Sequence, residues 1–206
     1  MERSTDAEKL VEDIRLRGGR AEAICSDVSV STDVRRMMSQ IEDSLGRVDI
    51  LINNAGVAAG RESEITEADF DRTIATNLKS AFLCTQAVLP AMRARRWGRI
   101  VNISAMGARA GSLSVVYGAS KAGLEGLTRA YALQLASCGV TVNAVAPGLI
   151  DTEMTRDLIE TGSALARIPA GRAGTGDEIA QAVVFLIADS YITGQTVAIN
   201  GGAFFS

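Results

Sequence analysis

Three side chains between Ser104 and Lys121 could do proton chemistry together. Tyr117 and Lys121 are four residues apart, which stacks them on one face of a helix. Ser104 closes an apolar run, Ile100 to Ile103, of the kind that forms a buried strand. A phenol has an ordinary pKa near ~10, too high to exchange protons at neutral pH. An ammonium held ~4 Å away favours the phenolate by roughly 4 kcal/mol at an effective dielectric of ~20, about 3 pKa units. That would bring the phenol toward the range where a general acid/base works best. The Ser104 hydroxyl could then hydrogen-bond a substrate oxygen. The same spacing also occurs as an ordinary pair on a helix surface, so the rest of the chain has to decide.

The bulk composition narrows the choice. The chain has 206 residues, 47% of them hydrophobic, enough for one globular domain with a real core. A net charge of −3 and the lack of a basic stripe argue against nucleic acid. There is no histidine, which excludes His-based triads, imidazole metal ligands and a His base. Three cysteines, Cys25, Cys84 and Cys138, are far apart and odd in number. They point to reduced, buried thiols in a cytoplasmic protein, without a disulfide frame or a metal site. No window approaches the ~18 uninterrupted apolar residues of a membrane span.

Positioning those three side chains requires strands that alternate with helices. The pattern predicts a helix from Thr5 to Gly18, a strand over 21–28 ending in Asp27-Val28, and a helix over 31–45. A strand over 48–53, apolar enough to be buried on both faces, is closed by Asn53-Asn54-Ala55-Gly56. Thr66 caps a long helical region in which Pro90 is a candidate kink. Strands follow over 98–104, 140–146 and 195–199, with helices over 117–138 and 177–187; the segment 150–169 reads as irregular. The alternation predicts an α/β fold, a single doubly wound domain over 1–206 with a mostly parallel sheet flanked by helices. Several of these features also have plain readings. Asn53-Asn54 and Pro147-Gly148 could be turns, Asn77 an exposed helix residue, and Arg93, Arg95 and Arg96 a solvated helix end.

N-N-A-G at 53–56, Asn77, Ser104, Y-x-x-x-K at 117–121 and P-G at 147–148 occur in fixed order. With them the chain resembles the short-chain dehydrogenases/reductases, which have a Rossmann-like sheet. R-I-P-A-G-R at 167–172 and the tail S-Y-I-T-G-Q-T-V-A-I-N-G-G at 190–202 look most like the 3-oxoacyl-[acyl-carrier-protein] reductase-like branch, which serves fatty acid biosynthesis. The resemblance implies an NAD(P)-dependent oxidoreductase that reduces a carbonyl or oxidises an alcohol, on a small molecule or an acyl thioester. It implies Tyr117 as acid/base, Lys121 as the group that lowers its pKa and binds the nicotinamide ribose, Ser104 on the substrate oxygen, and Asn77 in a proton relay. It places Asp27 and Val28 at the adenine and Asn54, Ala55 and Gly56 along the cofactor cleft. Pro147, Gly148, Ile150 and Thr152 would lie on the nicotinamide side. It also implies a homotetramer or homodimer built on helices near 79–95 and 117–138, with a second interface near the C-terminal strand. The cofactor would be NADP or NAD, with NADP favoured; Arg3 is a candidate remnant of a 2′-phosphate contact. Arg93, Arg95, Arg96 and Arg99 are candidates for a carrier-protein patch.

The family pattern opens with a strand, a T-G-x-x-x-G-x-G loop, a helix and a second strand, none of which this sequence contains. The expectation is a domain incomplete at its N-terminus, with strand 21–28 left outermost in a 3-2-1-4-5-6 order and short of its neighbours. The alternative function is a non-catalytic domain that oligomerises but cannot hold the dinucleotide. A sugar-nucleotide epimerase-like relative shares Y-x-x-x-K, but the P-G context and the I-N-G-G tail argue against it.

Overall fold

The computed structural model describes residues 5–58, 65–112, 114–162 and 164–205. Arg3 lies outside the described residues. Four strands, β1 (Ile50–Asn53), β2 (Gly98–Ile103), β3 (Val140–Pro147) and β4 (Thr196–Ile199), form a parallel sheet in the order β1-β2-β3-β4. Ile52 pairs with Val101, Val101 with Asn143, and Val145 with Val197 across the three ladders. Each crossover carries a helix, as parallel neighbours require; α1 (Thr5–Leu16) precedes the sheet, and the short α7 (Arg156–Glu160) follows β3.

Because alternate residues of a strand point to opposite faces, the sheet has two cores. On one face, Ile100, Val140 and Val142 pack with Val34 and Met38 of α2 (Ser31–Ser44), Val88 and Met92 of α4 (Ser80–Arg95), and Leu135 of α6 (Val115–Leu135). On the other face, Val101 and Val145 pack with Ala182 and Leu186 of α8 (Gly176–Ala188). Met92, Leu135 and Leu186 have no exposed surface. Burying a side chain of that size stabilises by about 1.5–3 kcal/mol. The doubly wound arrangement therefore follows from strands that are apolar on both faces.

Four expectations need correction. No strand forms over 21–28. A strand needs a neighbour to accept its ladder bonds, and among the described residues none lies beside this segment. Side chains serve its backbone instead: Arg15 donates to the Ala21 carbonyl at 2.8 Å, and the Asp27 N–H donates to Asp33 at 3.1 Å. Second, β1 is not buried on both faces. It is the sheet edge, with Ile50 and Ile52 about 40% and 39% exposed, while Leu51 joins the α2–α4 core. Third, α4 runs through Pro90, and the irregular turn lies earlier, in a π-helical stretch over Ala75–Lys79 between α3 (Glu67–Ile74) and α4. Fourth, only Cys84 is buried; Cys25 is exposed and Cys138 intermediate.

The capped start of α3 is as read from the sequence: Thr66 Oγ1 accepts from Asp69 N, and the Asp69 carboxylate accepts from Thr66 N, both at 3.2 Å.

Candidate active site

The site lies where the strands end. Asn53 closes β1 and leads into Asn54-Ala55-Gly56. Ile103 closes β2 before Ser104. Pro147 closes β3 before Gly148. Carboxyl ends of parallel strands form the crevice in which such folds bind ligands. Ser104 is held at the end of β2 by its N–H, which donates to the Val145 carbonyl at 2.7 Å. Gly148 N–H donates to Ile199 at 2.9 Å, and a Cβ there would stand 2.8 Å from Asn200 Cα, so only glycine lets these two segments approach so closely.

A buried polar chain fixes these ends against one another. Asn53 Nδ2 donates to Asn102 Oδ1 at 2.8 Å, and Asn102 Nδ2 donates to Thr128 Oγ1 at 2.8 Å. Thr128 Oγ1 donates to Leu124 O at 2.8 Å. The chain ties β1 to β2 and β2 to α6, the helix that carries Tyr117 and Lys121.

Asn77 sits in the π-helical turn and is 1% exposed. Its amide holds Val57 at both ends: Val57 N–H donates to Oδ1 at 2.8 Å, and Nδ2 donates to the Val57 carbonyl at 2.9 Å. Nδ2 also lies 3.0 Å from Ser120 Oγ on α6. The plain reading of an exposed Asn77 is therefore excluded, since the extra residue of the π turn aims the amide inward.

Lys121 is 3% exposed, and Nζ donates to the Ile103 carbonyl at 2.7 Å. Nζ lies 5.7 Å from the centre of the half-buried Tyr117 ring. A Cβ on Gly56 would stand 3.4 Å from Lys121 Nζ and 3.5 Å from Asn77 Oδ1. The structure thus brings Gly56, Asn77, Ser104, Tyr117 and Lys121 into one neighbourhood from four separate parts of the chain: the turn after β1, the π-helical turn, the end of β2 and α6.

The electrostatics differ from the sequence expectation. Burial pushes the Tyr117 phenol above its ordinary value and pulls the Lys121 ammonium down to about 8. Both side chains are withdrawn from water, and low dielectric penalises the charged form of each, so desolvation outweighs the attraction assumed at ~4 Å.

The other expected residues lie further along the rim. Asp27 accepts from Ser29 N–H at 2.9 Å and Ser29 Oγ at 2.7 Å, and these bonds hold its carboxyl below the usual range. Val28 packs on the α2–α4 core. Asn54 and Ala55 are exposed, Pro147 is half-buried, and Ile150 bridges to Gly174. Thr152 N–H donates to Thr155 Oγ1 at 3.2 Å. The arginine patch is not at this crevice. Gly98 and Arg99 begin β2, at the opposite end from Ser104. Arg95 pairs with Asp49 at 3.2 Å, Arg96 donates to Ser137 O at 2.7 Å, and Arg99 donates to Ile187 O at 3.1 Å.

Glu125 was not anticipated. It is 3% exposed, and its carboxylate accepts from Ser104 Oγ at 3.2 Å and from Arg109 Nε at 2.8 Å. The available signal was its spacing, four residues beyond Lys121 on the same face of α6. Among the described residues no His/Cys/Asp/Glu group could hold a metal, and no helix is long and apolar enough to cross a membrane.

Residues 1–203 match the family model described as Enoyl-(Acyl carrier protein) reductase. A 3-oxoacyl-[acyl-carrier-protein] reductase of Pseudomonas aeruginosa is 42% identical over 98% of this chain and 85% of its own length. A (2S)-[(R)-hydroxy(phenyl)methyl]succinyl-CoA dehydrogenase subunit of Thauera aromatica is 43% identical over 96% of this chain and 83% of its own. A 3-oxoacyl-[acyl-carrier-protein] reductase of Staphylococcus epidermidis is 41% identical over 96% and 84%.

Proposed function

The chain belongs to the short-chain dehydrogenase/reductase family of NAD(P)-dependent oxidoreductases, and on that premise we propose that it interconverts a 3-oxoacyl thioester and its 3-hydroxyacyl counterpart with NADP(H). The observation that carries this reading is the meeting of Lys121 Nζ and Asn77 Oδ1 over the bare backbone of Gly56, beside Ser104 at the end of β2. The thioester is favoured because two kinds of relative, acting by name on carrier-protein and coenzyme A esters, share that chemistry.

The residues present fit the nicotinamide end of a dinucleotide. A side chain at Gly56 would fill the space in front of Lys121 and Asn77, so its absence leaves room for a ring and ribose. Tyr117 and Lys121 would hold the ribose hydroxyls and Asn54 to Gly56 one wall. Pro147, Gly148, Ile150 and Thr152 would line the other side, with Asp27 and Val28 toward the adenine. When bound, the cofactor supplies or accepts the hydride.

The chain's own residues move the proton. A phenol raised by burial keeps its proton at neutral pH, the state needed to protonate a carbonyl oxygen during reduction. The Ser104 hydroxyl fixes that oxygen. Asn77, fixed by its bonds to Val57 and Ser120, would take part in the relay that replaces the proton.

The apolar groove lined by Ile74, Leu78, Phe82 and Leu127 between the π turn, α4 and α6 is the surface on which a second copy would dock. Exposed Val184, Phe185 and Tyr191 near β4 would form the second contact of a tetramer. Reduced thiols are consistent with a cytoplasmic home.

The deciding experiment is titration of the 206-residue chain with NADPH and NADH by nicotinamide fluorescence, followed by turnover of a short 3-oxoacyl thioester. Saturable binding with turnover is expected. No binding of either dinucleotide would leave the non-catalytic, oligomerising domain as the function of this chain.

A further inference from the structure

Ser120 enters the reading above only as a partner of Asn77, yet its hydroxyl spans two elements and has no exposed surface. Oγ donates to the Tyr117 carbonyl at 2.8 Å and accepts from Asn77 Nδ2 at 3.0 Å. The direction of both bonds is forced. A carbonyl can only accept, so the one hydrogen of the hydroxyl goes to Tyr117, and Oγ turns its lone pairs to the amide. Asn77 Nδ2 gives one hydrogen to Ser120 and the other to the Val57 carbonyl, while Oδ1 takes the Val57 N–H. A continuous chain of hydrogen bonds therefore runs from Val57, next to Gly56, through Asn77 and Ser120 to the backbone of Tyr117.

A serine that bonds back to a carbonyl of its own helix is common and by itself means little. Ser114, which follows the short α5 (Gly107–Ala110), is a local group of this kind: it caps α6 by accepting from the Tyr117 N–H at 3.4 Å. Ser120 differs in its second bond, which reaches another element. The same device recurs about two turns later, where Thr128 Oγ1 donates to the Leu124 carbonyl and accepts from Asn102 Nδ2, both at 2.8 Å. Thr128 ties α6 to β2, whereas Ser120 ties it to the π-helical turn and, through Asn77, to the turn after β1. The adjacent Lys121 is held elsewhere, at the Ile103 carbonyl. Neighbouring residues of α6 thus pin the helix to two different parts of the chain.

From this geometry we infer that Ser120 is a positioning residue: it fixes the helical turn that carries Tyr117 relative to the Gly56–Val57 wall, and so sets how the acid meets a substrate oxygen beside the nicotinamide. The inference rests on the oxidoreductase reading and adds a residue to it. With no exposed surface, Ser120 cannot touch a ligand. Its influence passes through the Tyr117 backbone, so it belongs to the chemical step and not to binding. A misplacement of about 1 Å can cost ~10²-fold in rate. One bond lost from a helix still pinned by Lys121 moves the phenol by less.

The test measures kcat and KM for reduction of a short 3-oxoacyl thioester, with NADPH affinity from nicotinamide fluorescence, in the parent chain, Ser120→Ala and Ser120→Thr. Alanine suits a helix, and the Tyr117 carbonyl keeps its i→i−4 partner, so Ser120→Ala should unfold at a urea midpoint close to the parent's. Its kcat should fall about tenfold, with KM and dinucleotide affinity within about twofold of the parent. Ser120→Thr keeps the hydroxyl and should recover most of the loss. Should the added methyl prevent folding, the double variant Ser120→Ala/Asn77→Ala decides. Compared with Asn77→Ala it should show no further fall in kcat, because the bond in question is already gone. Unchanged kcat in Ser120→Ala, a fall in kcat matched by a rise in KM, a folded Ser120→Thr as slow as Ser120→Ala, or a full further loss in the double variant overturns the inference and leaves the oxidoreductase reading standing. A parent chain that binds neither dinucleotide overturns the oxidoreductase reading, and the inference with it.

Discussion

Lys121 Nζ donates to the Ile103 carbonyl at 2.7 Å, so the ammonium is anchored to the last residue of β2, immediately before Ser104. This bond sets the height of the lysine along the strand end. It also holds the amine 3% exposed, and burial lowers its pKa from 10.5 to about 8.

The first prediction follows from that shift. The unfolded chain holds the Lys121 proton up to its ordinary pKa, whereas the folded chain begins to lose it near 8. Between those values the unfolded state binds more protons, so this group's contribution to stability rises with pH. Below about 8 it costs up to ~3 kcal/mol, less whatever the Ile103 bond returns. Lys121→Met should therefore have its greatest stability advantage over the parent near pH 7 and lose it by pH about 10.5. Urea midpoints at several pH values check this; a constant difference would mean that the Lys121 pKa is the same in the folded and unfolded chains.

Tyr117→Phe should lower kcat by about 10²–10⁴-fold, the usual worth of a general acid, and weaken dinucleotide binding by no more than the one ribose hydrogen bond it removes. Because burial raises the phenol, reduction in the parent should hold through neutral pH and fall only on the alkaline side. Oxidation, which needs the phenolate, should rise over the same range. Near-normal turnover in the variant would remove Tyr117 from the mechanism.

Asn77→Ala would strip both hydrogen bonds from Val57 and one from Ser120. Leaving buried backbone groups unpaired costs about 1–3 kcal/mol each, so a loss of ~2–4 kcal/mol is expected in urea unfolding. Faster hydrogen exchange at Val57 should accompany it. Unchanged exchange there would show that the amide does not support this loop.

Phe82→Glu should separate the proposed oligomer. Phe82 is 43% exposed at the rim of the apolar groove that also contains Ile74, Leu78 and Leu127. A carboxylate buried in such an interface would lack a partner. Light scattering should show the parent as a dimer or tetramer and the variant as a smaller species. A parent that is already monomeric would refute the interface.

Helix positions were legible where one periodicity ran without competition. The sequence places a helix over 117–138, and α6 with its following 3₁₀ turn covers Val115–Cys138. The β2 and β3 strands were legible as apolar runs. Strand 21–28 was misread because its composition suits a strand equally well with or without a neighbour. The Glu125 pairing was missed because Arg109 lies sixteen residues back, across a turn. Cys25 and Cys138 were expected inside because a thiol's burial depends on what covers it, not on its type.

By itself, the sequence determined most of the helices, the strands that form the sheet, the parallel α/β class and the order of Asn77, Ser104, Tyr117 and Lys121, because local spacing and side-chain type carry that information. Only the tertiary structure decided what each of those groups experiences. Whether a strand finds a partner, whether a phenol is raised or lowered, and which groups a buried hydroxyl meets all depend on atoms brought close from distant parts of the chain. Desolvation and hydrogen-bond competition act across space, and neither leaves a period in the sequence.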